Sequence, residues 1–119
     1  MRQTKSPNFE LRNLIQELKK KSIEHGVNIW KRIANDLEKS TRRRRIVNLY
    51  KINKYTKKDE MVIVPGKVLA VGDLDHPVTV AAFSFSEAAL DKINKVGKTM
   101  PINDIIKESP KGKKIRILG

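Results

Sequence analysis

The sequence predicts an α+β fold, with N-terminal helices followed by an irregular winding of short strands and helices around one small core. Apolar residues recur at helical spacing in the first half of the chain, whereas β-branched runs typical of strands begin only after it. The hydrophobic fraction, 39% of 119 residues, suffices for one modest core. We therefore expect a single domain over residues 1–119, with an extended N-terminal arm (1–8), a basic helical half (9–58) and an α/β half (59–119).

The first half contains two predicted helices and one less regular segment. Apolar residues lie on one helix face over residues 9–25, and they are Leu11, Leu14, Ile15 and Leu18. Gly26 is a typical C-terminal stop for this helix. A second helix is predicted over about 28–39. After it, Ile46 and Val47 are expected to finish a short strand, and Asn48 to cap a short helix.

The second half changes to the pattern of strands. The apolar run that ends at Pro65 and Gly66 predicts a strand followed by a turn, with a positive φ angle at Gly66. Residues 78–83 are apolar on both faces, which predicts a central, covered strand. Ser86 is the expected N-cap of a helix over 87–96 that ends at Gly97. A short helix near 102–107 and a strand over 114–118 complete the chain.

Composition excludes several classes of function. The chain has no cysteine and two histidines, which excludes thiolate chemistry and makes a metal site improbable, and we expect no cofactor. The longest apolar run is far shorter than the ~20 residues of a membrane span, and no secretion signal is expected at the N-terminus. Asp73, Asp75 and His76 form a carboxylate–imidazole cluster, but they are predicted to lie in a turn, where Asp is common for backbone reasons. We expect neither catalysis nor a small-molecule substrate.

The charge of the chain indicates a polyanionic partner. There are 26 Lys and Arg against 13 Asp and Glu, a net charge of +13, and most of the excess lies in residues 1–60. Four consecutive arginines, Arg42 to Arg45, would spread over about 300° of a helix, so they suit an extended segment gripping phosphates on two sides. A solvated charge run or a nuclear-targeting peptide is the alternative interpretation of these arginines. Phe83 and Phe85 are better explained by packing than by stacking on bases.

Candidate RNA contacts follow from charge and from the expected Gly-Lys turn. They are Lys5, Arg12, Lys19, Lys20, Lys39, Arg42, Arg43, Arg44, Arg45, Lys51, Lys54, Lys57, Gly66, Lys67, Lys113, Lys114 and Arg116.

Three segments also resemble a known family. They are Val47-Asn48-Leu49, the run from Val62 to Leu69 that contains Pro65-Gly66-Lys67, and the run from Val78 to Gly97. Together they are similar to the archaeal and eukaryotic large-ribosomal-subunit protein 18e family, and the length resembles the archaeal type. The resemblance implies a cytoplasmic structural protein of the large subunit, bound to ribosomal RNA and neighbouring ribosomal proteins. It also implies a fold shared with the bacterial large-subunit protein fifteen.

Two other functions remain open from the residues alone. A helical DNA-binding regulator could place residues 29–37 or 49–55 in a groove. A small RNA-processing enzyme could use Asp73, Asp75 and His76.

Overall fold

A computed structural model describes residues 7–38, 45–108 and 115–118, within which helices and strands alternate after two initial helices. In chain order the elements are α1 (Pro7–His25), α2 (Asn28–Leu37), β1 (Arg45–Asn48), α3 (Leu49–Tyr55), β2 (Glu60–Leu69), β3 (Val78–Phe85), α4 (Glu87–Val96), β4 (Lys98–Pro101), α5 (Ile102–Glu108) and β5 (Ile115–Ile117). This order confirms the predicted α+β class, including the strand and short helix on either side of Asn48.

The strands form one parallel sheet organised around β2. Strand β3 runs along one edge of β2, and β4 continues the sheet beyond β3. The other edge of β2 is shared, because β1 pairs with its C-terminal half and β5 with its N-terminal half. Strand β3 is therefore flanked on both sides, and most of its first half is buried, as expected for a central strand.

Helices cover both faces of this sheet. Helices α1, α2 and α5 bury their apolar residues with Ile63 and Ala81 in one cluster, which we call the α1-side core. Helices α3 and α4 pack with Val62 and Val80 in a second cluster, the α4-side core. Neighbouring residues of one strand point to opposite faces, so β2 and β3 each supply both cores. What the sequence indicated as one small core is divided in two by the sheet.

Local sequence signals place several element ends correctly. Gly26 has a φ angle of 63°, the left-handed conformation that ends α1 after His25. Ser86 caps α4, since its hydroxyl oxygen accepts a hydrogen bond of 3.2 Å from the Ala89 backbone N–H. Helix α2 ends at Leu37, two residues earlier than expected.

The turn predicted at Pro65 and Gly66 is wrong. Strand β2 continues through both residues to Leu69, and Gly66 is buried opposite Arg45 of β1. The positive-φ glycines of the described chain are Gly26 and Gly72, so Gly66 does not adopt the expected conformation. A register shift against β3 falls at this dipeptide. A bulge explains the pattern, because it is a position at which a strand tolerates a proline and its missing N–H.

Candidate nucleic-acid interface

The structure describes ten of the seventeen predicted RNA contacts and separates them into different environments. Outside the described residues lie Lys5, Lys39, Arg42, Arg43, Arg44, Lys113 and Lys114. The backbone of Arg45 begins β1. Exposed side chains belong to Arg12, Lys19, Lys20, Lys54, Lys57, Lys67 and Arg116, whereas Lys51 is half-buried. Gly66 is buried inside β2, which removes the argument for a close approach of RNA to an exposed turn there.

Some of the cations are held by carboxylates of the chain itself. The Lys19 ammonium lies 2.9 Å from Glu38, and the Arg116 guanidinium lies 3.3 Å from Glu60. A hydrogen bond from the Lys57 backbone N–H and a second from Arg116 hold the pKa of Glu60 below its ordinary value. These pairs neutralise part of the positive charge within the fold, so Lys19 and Arg116 are weaker candidates for phosphate contacts.

Helix α3 presents a different surface. Leu49 and Ile52 are buried in the α4-side core and define the inner side of this seven-residue helix. At 100° per residue, the outward side chains fall within about 140° of arc, and they are Tyr50, Lys51, Lys54 and Tyr55. We call these four residues the α3 outer face. The Lys54 ammonium lies 5.3 Å from the centre of the Tyr55 ring, a cation–π distance.

The start of α3 is fixed by the loop between β2 and β3. The Tyr50 backbone N–H donates to the Val71 carbonyl at 3.0 Å, and the Val71 N–H donates to Asn48 Oδ1 at 3.3 Å. Asn48 therefore occupies the N-cap position, but its side chain bonds this loop instead of capping α3. Gly72, with a φ angle of 99°, passes so close that an added Cβ would lie 2.7 Å from the Tyr50 Cβ.

A second anchor comes from α4. The Lys92 ammonium donates to the carbonyl oxygens of Ala70 and Gly72 at 3.0 and 2.9 Å, and it lies 3.5 Å from an Asp73 carboxylate oxygen. The loop beside Tyr50 is therefore tied to both helices of this layer.

The end of α3 is fixed by the carboxylate–imidazole cluster. His76 Nδ1 lies 2.9 Å from Asp75 Oδ1, and its Nε2 lies 2.8 Å from Thr56 Oγ1. Hydrogen bonds from His76 and then Asn53 hold the pKa of Asp75 below its ordinary value. The Thr56 hydroxyl donates to the Ile52 carbonyl, and its residue is 7% exposed. A buried hydroxyl bonded to the backbone is a poor nucleophile, so the cluster joins the loop to α3.

Sequence reasoning missed the tyrosines of α3. It weighed Phe83 and Phe85 as stacking aromatics, and the structure places both half-buried against the two cores. Tyr50 and Tyr55 are 58% and 48% exposed. The burial of Leu49 and Ile52, if inferred from spacing, would have placed both tyrosines outward.

Other kinds of site were sought in the same part of the chain. No group of three or more His, Cys, Asp or Glu side chains that could hold a metal occurs among the described residues. None of the described helices is long and apolar enough to cross a membrane.

Comparison with known proteins decides the family. Residues 11–100 match the family model that describes ribosomal proteins 50S-L15 and 50S-L18e together with their 60S counterpart. The chain belongs to this family. It is 46% identical over 116 residues to large ribosomal subunit protein eL18 of Sulfurisphaera tokodaii, covering 97% of this chain and 95% of that protein. It is 45% identical over 119 residues to eL18 of Methanothermobacter thermautotrophicus, covering 99% and 98% of the two chains.

Membership in the ribosomal L15/L18e family confirms the resemblance found in the sequence. It also confirms the prediction of a large-subunit ribosomal protein of archaeal type, with the corresponding cytoplasmic localisation. The chain is a structural ribosomal protein and not an enzyme, so the RNA-processing alternative is wrong. Nothing in the family supports a DNA-binding regulator.

Proposed function

We propose that the chain is a structural constituent of the large ribosomal subunit that binds ribosomal RNA through contacts of Lys and Arg with phosphates. It contacts neighbouring ribosomal proteins and supports translation as part of the subunit. The archaeal relatives are named large ribosomal subunit proteins, and they are matched over nearly their whole length. RNA helices are recognised mostly through shape and backbone, so this role needs charges held in register and no base-specific groove element.

The observation that carries the proposal is the distribution of unpaired positive charge. Residues 39–58 contain nine Lys and Arg and no Asp or Glu. Within the described part of this segment, Lys51, Lys54 and Lys57 form no side-chain ion pair, in contrast to Lys19 and Arg116. Like charges this close repel one another in the free protein, and a polyanion would remove that cost. Phosphates of RNA supply the missing counter-charge.

We further infer that residues 1–119 act as one domain. The basic half and the α/β half do not have separate cores: α1 and α2 share one cluster with α5, and α3 shares the other with α4. Unfolding of either half would expose the apolar surface of the other, so both should unfold together.

The salt dependence of RNA binding tests the proposed function. About six phosphate contacts predict a log–log slope of affinity against salt near −4, at ~0.7 per phosphate for single strands. The double variant Lys51→Gln/Lys54→Gln should make that slope shallower by about 1.4, because two contacts are lost. Affinities would be measured by fluorescence anisotropy with labelled large-subunit RNA fragments at several salt concentrations.

A matched control is available on the other layer. Lys21 and Lys107 border a cleft between α1 and α5 that also carries Glu17 and Asp104. Lys21→Gln/Lys107→Gln makes the same change in net charge where carboxylates already offset the lysines. It should leave the slope nearly unchanged. A wild-type slope near −1, or equal slopes for both double variants, would contradict binding through the 39–58 segment.

A further inference from the structure

We propose that the α3 outer face is a stacking surface for unpaired RNA bases, with Tyr50 and Tyr55 contacting base faces and Lys51 and Lys54 the adjoining phosphates. The proposal rests on the function proposed above and adds to it a class of RNA: single-stranded or bulged segments. Base pairs in a continuous helix hide their faces from protein side chains, whereas unpaired bases can stack on aromatic rings.

The distribution of aromatic residues is the first argument. Among the described aromatic side chains, Trp30 is fully buried and Phe83 and Phe85 are half-buried against the cores, whereas Tyr50 and Tyr55 are exposed. Both exposed rings lie on one seven-residue helix. Their exposure has no role in the packing of the isolated fold, because Leu49 and Ile52 bury the inner side of α3. An aromatic surface left open in this way is suited to a partner with flat apolar faces.

The second argument is that the base of the Tyr50 side chain is held before any partner binds. Its backbone N–H is bonded to Val71, and Gly72 lies against its Cβ. Lys92 in turn holds the Gly72 carbonyl at 2.9 Å. Ordering a surface on binding costs free energy, so a segment fixed in advance by hydrogen bonds loses less when RNA docks.

The third argument is charge. The side chains of the α3 outer face are two lysines and two tyrosines, with no carboxylate among them. Asp73 and Asp75 of the adjoining loop are already engaged, the first with Lys92 and the second with His76 and Asn53. Aromatic rings between unopposed lysines are the combination that single-stranded nucleic acids require, since each nucleotide offers one base face and one negative charge. The charge favours RNA over a neighbouring protein of mixed charge.

Two oligonucleotide probes separate stacking from charge. One is an RNA oligoadenylate of about twelve nucleotides, within the range of site sizes for single-strand binders. The other is an abasic ribose-phosphate oligomer of the same length and charge. The wild-type protein should bind oligoadenylate more tightly than the abasic oligomer. Tyr50→Leu/Tyr55→Leu should lose about tenfold or more in affinity for oligoadenylate, whereas its affinity for the abasic oligomer should stay the same.

The matched variant Tyr50→Phe/Tyr55→Phe keeps both rings and removes only the hydroxyl groups. It should bind both oligomers like the wild-type protein, and near-identical circular dichroism of all variants would verify folding. The salt slope should be equal in the Leu and Phe variants, because neither loses a phosphate contact. A failure of the proposed function would instead appear as weak, salt-insensitive binding of the wild-type protein to both oligomers.

Two results would overturn the stacking surface specifically. One is equal affinity of the wild-type protein for the two oligomers with a steep salt slope, which would leave charge as the whole interaction. The other is oligoadenylate binding by the Leu variant equal to that of the wild-type protein, together with poor retention of tagged Leu variant in large subunits after a salt wash. That combination would assign Tyr50 and Tyr55 to a protein neighbour.

Discussion

Replacement of Gly72 by alanine tests how the β2–β3 loop is held against α3. An added Cβ would lie 2.7 Å from both the backbone nitrogen and the Cβ of Tyr50, closer than real Cβ atoms approach. The φ angle of 99° also lies outside the region that alanine readily adopts. Gly26→Ala is the matched control, because Gly26 has a φ angle of 63° and no heavy atom within 4 Å of the added Cβ.

The two substitutions differ in the collision, and its cost can be worked out from the contacts. For Gly26→Ala we expect a loss of about 1 kcal/mol in the free energy of unfolding, from the left-handed conformation alone. Gly72→Ala carries backbone strain of about 1–2 kcal/mol. Relief of the collision moves the loop away from α3 and breaks the bonds from Tyr50 to Val71 and from Lys92 to Gly72, at about 1 kcal/mol each. The sum is a loss of about 3–4 kcal/mol.

Fluorescence of the single tryptophan, followed during urea unfolding, measures both effects. Trp30 is buried in the α1-side core, across the sheet from α3. A lower midpoint reported by Trp30 for Gly72→Ala would therefore mean that both cores unfold together. The melting temperature should fall by about 10 °C more for Gly72→Ala than for Gly26→Ala, at about 4 °C per kcal/mol for a chain of this size. Equal losses for the two variants would refute the collision, and a change confined to far-UV circular dichroism would refute the single cooperative unit.

Two further predictions concern the core and the acid response. Leu18→Ala should cost about 2–5 kcal/mol of unfolding free energy because Leu18 is fully buried, whereas Ile23→Ala on the same helix should cost under about 0.5 kcal/mol, since Ile23 is 83% exposed; similar urea midpoints would contradict the assigned faces of α1. The lowered pKa of Asp75 means that its ionised form stabilises the fold above the ordinary pKa near 4, and that this contribution is lost as pH falls through the lower folded value. Asp75→Asn should therefore flatten the decline of unfolding free energy in acid, and an unchanged pH profile in urea titrations would contradict it.

Features set by neighbouring residues along the chain were predictable from sequence. The apolar spacing of α1, the N-cap at Ser86 and the stop at Gly26 each depend on a few residues within one or two helical turns. The strand–helix boundary at Asn48 was predictable for the same reason, whereas the side-chain partner of Asn48 lies 23 residues away in the β2–β3 loop.

Features set by pairing between distant segments were not predictable in this way. Pro65 and Gly66 carry a strong local turn signal, yet β1, β3 and β5 pair along β2 and extend it through both residues. A local bulge reconciles the dipeptide with the strand, and only the register against β3 reveals it. Strand β4 was missed because its four residues are too few to show an alternating pattern.

The candidate RNA surface shows the same division between local and distant information. Net charge and the basic 39–58 segment are properties of composition, so a polyanionic partner was predictable from the sequence. Which cations are free is a property of the fold, because Glu38 reaches Lys19 and Glu60 reaches Arg116 only through tertiary contacts. Charge alone ranks Lys19 with Lys54, whereas the structure pairs the first with a carboxylate and sets the second beside an exposed tyrosine ring. A basic segment therefore marks where RNA binds, and burial of the opposite helix face determines which side chains meet it.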